Sequence, residues 1–177
     1  AIDLRGHGES TVVESGKGKV ESLDYRKFSD EEHQAGIQDL EAGWEFLKSQ
    51  GAVPGKLTVI GASIGANLSL EFLTKHPEIG GGVLLSPGDY KGLDSGKLVK
   101  KLDENQKMVF VASRLDDRSA GNPRTQRAER SSYDGNNAED NQRYYNLASQ
   151  VKNRHLILFD GAGHGTDLFL LEKEYNL

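Results

Sequence analysis

The apolar run Leu57-Thr58-Val59-Ile60 passes straight into Gly61-Ala62-Ser63-Ile64-Gly65, and a helix-like segment carrying Leu68, Leu70, Phe72 and Leu73 follows at once. A strand that gives way to a helix so abruptly needs a sharp turn, and the two glycines leave room for it. The serine at the centre is then held in a strained backbone position with its oxygen exposed.

Around this junction the chain alternates strand-like and helix-like segments. Ser29-Asp30-Glu31-Glu32 predicts a capped helix start, because Glu32 stands three residues after Ser29. Ile37, Leu40, Trp44 and Leu47 recur at helical spacing up to a stop before Gly51. Gly82-Val83-Leu84-Leu85-Ser86, Lys107 to Ser113 and Arg154 to Phe159 are short, nearly continuous apolar runs that predict buried strands. Helices are expected near Leu98 to Leu102, from Asn122-Pro123 through Arg130, from Tyr144 to Val151 and from Asp167 to Tyr175. Residues 11 to 28 are polar and glycine-rich, and read as a loop. Buried strands separated by helices predict an α/β protein with a mostly parallel sheet and helices on both faces, as one domain over residues 1–177.

Composition narrows the partners. The net charge is -5 and the 22 Lys and Arg are scattered among 27 acids, so no basic face for nucleic acid is expected. No apolar run is long enough for a membrane span and no signal-peptide pattern is present. There is no cysteine, which removes disulfides, thiol nucleophiles and cysteine-bound metals from consideration. The balance leans to a soluble, cytoplasmic protein, leaves export open, and leaves the oligomeric state undetermined.

In a parallel α/β sheet, ligands sit at the carboxyl ends of the strands. Three chemical groups fall there in the order Ser, Asp, His: Ser63, the pair Asp116 and Asp117 after the Phe110 strand, and His164 within Asp160-Gly161-Ala162-Gly163-His164-Gly165-Thr166. A serine hydroxyl is a weak nucleophile at neutral pH and needs a base, which in turn needs an acid to hold its tautomer. Asp116 and Asp117 both qualify as the acid, and Asp89 and Asp94 after the Leu85 strand keep a smaller claim. The bland alternatives are a helix-capping serine and a histidine exposed in a loop. His76 before Pro77 reads as a helix-end residue, His33 as solvated, and His155 as without a partner. The Ile64 amide, at the start of the helix, suits one donor of an oxyanion hole. A second donor is expected from a loop of an earlier strand, and no such strand precedes it in this sequence.

As a set these residues closely resemble the α/β-hydrolase superfamily of serine hydrolases. Asp3-Leu4-Arg5-Gly6-His7-Gly8-Glu9-Ser10 is similar to its D-x-R-G-H-G-x-S turn, Gly61 to Gly65 to its nucleophile elbow, Ser113 to Asp116 to its acid segment, and Gly163-His164-Gly165 to its histidine loop. The resemblance implies catalysis through an acyl-enzyme on Ser63 with His164 as base, and favours Asp116 over Asp117 as acid. It places His7 in the turn motif and outside the triad; no spacing supports a metal-ligand role for His7 with His33 or His164, and the glycine turn lacks the G-x-G-x-x-G spacing of a dinucleotide site, so no metal and no cofactor are expected. It also implies that strands normally preceding the Asp3 turn lie outside this sequence, so a missing N-terminal segment of the same polypeptide is expected.

The short link after Ser86 implies that no large lid is inserted, and Ser86-Pro87-Gly88-Asp89-Tyr90-Lys91-Gly92 resembles small bacterial esterase-like hydrolases. The expected substrate is a small carboxylic ester with a short acyl chain. A peptidase or amidase using the same triad, and a non-catalytic binding domain that kept the fold, are the alternatives. Arg118, Arg124, Arg127 and Arg130 form a solvated surface or flank the entrance and attract an anionic substrate.

Overall fold

The computed structural model describes residues 1–14, 16, 18, 20–89, 91–116 and 137–169. Its centre is a sheet of four parallel strands, β3 (Thr58–Ala62), β4 (Gly81–Leu85), β5 (Lys107–Ser113) and β6 (Asn153–Phe159), side by side in that order. Two shorter strands, β1 (Val12–Glu14) and β2 (Val20–Ser22), form a separate antiparallel hairpin where the composition had predicted a loop. Their residues are all exposed, so no core periodicity marks them in the sequence.

The described α-helices are α1 (Asp30–Gln34), α2 (Ile37–Ser49), α3 (Ile64–Lys75), α4 (Ser95–Leu98) and α5 (Asn137–Leu147), with short 3₁₀ turns elsewhere. The expected start at Ser29 is a full capping box: Ser29 Oγ accepts from the Glu32 amide at 3.2 Å, and the Ser29 amide donates to Glu32 Oε2 at 2.7 Å. The expected single helix through Ser49 is broken at Ala35-Gly36. A Cβ on Gly36 would lie 2.9 Å from Leu68 Cδ1, so the break lets the backbone pass close to α3.

The strands advance across the sheet in one direction, and right-handed crossovers that all step the same way put their helices on the same face. Trp44 of α2, Leu70, Phe72 and Leu73 of α3, and Tyr144 and Ala148 at the end of α5 accordingly share one core with Leu84, Met108 and Phe110. On the opposite face Leu168 packs with Leu85 and Val111, so part of the cover there comes from the chain that follows His164. Ile60 and Ile157 remain exposed on that face among the described residues.

α5 begins seven residues before the expected Tyr144, because its first turn is polar: Asn137 and Asn141 are buried there for hydrogen bonding. Gly165–Asp167 forms a 3₁₀ turn where the last helix was expected to begin. The Asn122-Pro123 helix, the four arginines from Arg118 to Arg130, and the end of the last helix lie outside the described residues.

Candidate active site

Ser63 sits between β3 and α3 with φ 54° and ψ −121°, a left-handed conformation rare for any residue but glycine. Its amide donates to the Leu85 carbonyl of β4 at 2.9 Å, which anchors the turn to the sheet. The flanking glycines differ in role. A Cβ on Gly61 would lie 2.2 Å from the Gly65 carbonyl oxygen and 2.4 Å from Ser69 Oγ, whereas one on Gly65 would meet nothing within 4 Å. The close passage of strand over helix therefore demands glycine at the first position only.

His164 follows β6, and its Nε2 lies 2.8 Å from Ser63 Oγ. Its Nδ1 lies 2.7 Å from Asp116 Oδ2. The three residues are far apart in sequence and come together because β3, β5 and β6 all end at the same edge of a parallel sheet. Asp116 is fully buried, and the His164 side chain beside it is 12% exposed. A buried carboxylate is costly without partners, and this geometry supplies one that also orients the ring.

The other acid candidates are occupied elsewhere. Asp89 pairs with Arg143 and accepts from the Gly96 amide at 3.3 Å. Asp94 caps α4 by accepting from the Lys97 amide at 2.8 Å, and its contacts with Lys97 hold its pKa below the usual carboxylate value. Asp117 lies outside the described residues. Ile64 is the first residue of α3, so its amide has no partner one turn back in the helix.

The remaining histidines keep away from the triad candidates. His7 stacks on Tyr25 at 4.0 Å between ring centroids, and its Nδ1 lies 3.1 Å from the Arg5 carbonyl oxygen. The turn bearing it is tied down twice: Asp3 accepts from the Glu9 amide at 2.9 Å, and the Arg5 guanidinium pairs with Asp39 of α2 at 2.8 Å. His33 corrects an expectation. It is buried against Phe28 rather than solvated, and burial, with a smaller contribution from Lys91, lowers its pKa. His76 caps α3 as expected and lies between Glu41 and Glu78. His155 does have a neighbour, Asn153 Oδ1 at 3.1 Å.

Sequence reasoning missed a buried polar cluster beneath the site. Asn67, Asn137 and Asn141 are fully buried and all bond the Pro87-Gly88 backbone. An asparagine inside an apolar helix was the available signal, at Asn67 between Ala66 and Leu68. An open cleft of about 470 Å³ lies among Gln34, Leu93, Lys97 and Lys101, and no triad candidate lines it. Among the described residues no group of three His, Cys, Asp or Glu is arranged to hold a metal ion, and no helix is long and apolar enough to cross a membrane.

Comparison with solved structures gives several likenesses, all at low identity. The Pyrococcus furiosus esterase Pf2001 aligns with a TM-score of 0.59 at 19% identity, over 89% of this chain and 63% of that one. Arabidopsis thaliana SOBER1 aligns with a TM-score of 0.52 at 14% identity, over 90% of this chain and 75% of that one. Pyrococcus horikoshii acylaminoacyl peptidase aligns with a TM-score of 0.53 at 14% identity, over 76% of this chain and 24% of that one. At these identities the likeness is one of fold. Comparison with curated protein sequences gives no significant match. The family model described as "Serine aminopeptidase, S33" matches residues 1–151, which include the Asp3 turn, the Ser63 elbow and Asp116. With a parallel sheet that carries the Ser63 elbow and Asp116 at its strand ends, the chain belongs to this family of α/β-hydrolase-fold serine hydrolases.

Proposed function

We propose that the chain hydrolyses small carboxylic esters with short acyl groups through an acyl-enzyme. The observation that carries the acyl-enzyme chemistry is the unbroken run from Ser63 Oγ to His164 Nε2 at 2.8 Å and from His164 Nδ1 to Asp116 Oδ2 at 2.7 Å, and the ester rests on the resemblance of Ser86 to Gly92 to small esterase-like hydrolases. Ser63 Oγ attacks the carbonyl carbon while His164 Nε2 takes its proton. Asp116 holds the Nδ1–H tautomer and stabilises the imidazolium. The Ile64 amide donates to the oxygen that becomes negative, at a helix start where the dipole favours that charge. The imidazolium then protonates the departing alcohol, and a water molecule deprotonated by His164 releases the acid from Ser63.

A second reading, an amide or peptide hydrolase, is favoured by the description of the matching family as serine aminopeptidase. The same triad serves both, and an amine leaving group depends more heavily on the proton held by His164. Turnover of p-nitrophenyl acetate without turnover of aminoacyl anilides supports the esterase, and the reverse supports the peptidase. Ser63→Ala abolishes either activity. Retained turnover in that variant removes Ser63 from the reaction and overturns both readings, whereas no turnover and no labelling of Ser63 by a fluorophosphonate in the wild-type protein overturns both in favour of a non-catalytic domain.

A further inference from the structure

Two adjacent residues at the end of β4 touch both sides of the Ser63–His164 pair. The Leu85 carbonyl accepts from the Ser63 amide at 2.9 Å, and the next side-chain hydroxyl, Ser86 Oγ, accepts from the Gly165 amide at 3.0 Å. Gly165 directly follows His164. It lies at φ +57°, and a Cβ added there would sit 3.5 Å from Ala62 Cβ and 3.8 Å from Ser63 Cβ, so it rests directly on the elbow.

We infer that Ser86 is a positioning residue, which sets the distance from the His164 ring to the Ser63 hydroxyl by holding the Gly165 amide. Ser86 is fully buried and adopts φ 52°, where glycine would be free of strain. A serine kept in such a conformation marks a position where the side chain matters. Its mount is rigid. The Ser86 amide donates to the Val111 carbonyl at 2.8 Å, which fixes it to β5. The Pro87 carbonyl accepts from Asn137 Nδ2 at 2.8 Å and Asn141 Nδ2 at 3.3 Å. The Gly88 carbonyl accepts from Asn67 Nδ2 at 2.6 Å and Ser95 Oγ at 2.8 Å, and the Gly88 amide donates to Asn67 Oδ1 at 3.0 Å. These bonds account for the buried asparagines, which the triad itself does not use.

The inference rests on the reading of Ser63 as nucleophile and His164 as base. Proton transfer between them is sensitive to displacements of about 1 Å, which can change rates by about 100-fold. The test uses the full chain as wild type, Ser86→Gly and Ser86→Ala. A fluorophosphonate reports the chemistry directly: Ser63 Oγ bonds to phosphorus, fluoride leaves, and the hydroxyl proton passes to His164. Ser86→Gly removes the hydroxyl and relieves the backbone at once, so the relief offsets part of the cost of leaving the buried Gly165 amide without its acceptor, and the variant stays folded at the assay temperature. Its labelling rate at Ser63 and its kcat on p-nitrophenyl acetate fall about 10- to 100-fold with KM within about twofold. Ser86→Ala shows the same kinetic loss and guards against an unforeseen folding effect of glycine.

Labelling and kcat within about twofold of wild type in either folded variant overturn the inference and leave the triad reading standing. So does a loss in both variants that disappears when labelling and kcat are measured at a temperature where each is fully folded. Absence of labelling at Ser63 in the wild type overturns the triad reading first, and the positioning role with it.

Discussion

Asp116 Oδ2 and His164 Nδ1 lie 2.7 Å apart although 48 residues separate them, and the aspartate is wholly shielded from solvent. A buried carboxylate accepting from Nδ1 fixes which imidazole nitrogen faces Ser63. Asp116→Asn is therefore expected to lower kcat by about 10⁴-fold, because the amide favours the wrong tautomer, with little change in KM. Asp117→Asn is expected to keep wild-type kcat. Steady-state kinetics on an ester substrate check both, and a reversal of the two results would transfer the role of acid to Asp117.

The elbow glycines should respond in opposite ways. Gly61→Ala drives a Cβ to 2.2 Å from the Gly65 carbonyl oxygen and 2.4 Å from Ser69 Oγ. It is expected to cost about 1–3 kcal/mol or more, since strand and helix backbones must separate. Gly65→Ala lies within α3 in open space and is expected to leave stability unchanged or raise it by up to about 1 kcal/mol. Urea unfolding of the two variants beside the wild type measures the contrast. Equal destabilisation would refute the steric account.

Asn67 bonds both the carbonyl and the amide of Gly88 from the interior of α3. Asn67→Ala removes the acceptor of the buried Gly88 amide, a loss costing about 1–3 kcal/mol, while the Gly88 carbonyl keeps Ser95 Oγ as a donor. A destabilisation of about 1–3 kcal/mol is expected in chemical denaturation. A near-neutral result would mean that water replaces the amide.

The pH dependence of stability should carry a signature of His33. Its pKa is lowered in the folded protein, first by burial and then by Lys91, with His7 acting in the same direction and Asp30 and Glu32 opposing. The unfolded chain then binds a proton that the folded chain resists. The contribution is present above the unfolded value of about 6.5 and is lost as pH falls through the folded value. His33→Gln is expected to flatten that decline below about pH 6.5 in unfolding free energies measured across the acid range. An unchanged slope would show that His33 takes up its proton equally in both states.

The architecture was open to inference from the chain because its signals are local. The apolar runs at Gly82 to Leu85, Lys107 to Ser113 and Arg154 to Phe159 mark strands by composition alone, and the structure places strands over each of them. The capping box at Ser29 and Glu32 is likewise a relation between residues three apart. The hairpin of Val12–Glu14 and Val20–Ser22 escaped because exposed strands bury no face and so write no period into the sequence. His33 was misread for a related reason: its neighbours along the chain are polar, and what covers it is Phe28, brought round by the preceding turn.

The sequence by itself determined the class of fold and the hydrolase superfamily, and it put forward Ser63, His164 and a choice of aspartates as candidates for nucleophile, base and acid, since each stands after its own apolar strand. Only the tertiary structure decided how they meet. It put Asp116 on His164, paired Asp89 with Arg143, and used Asp94 to cap a helix. It also disclosed Ser86, whose contact with the Gly165 amide spans 79 residues. Strand and helix signals depend on neighbours a few residues away, whereas these contacts depend on which strand ends the sheet sets side by side.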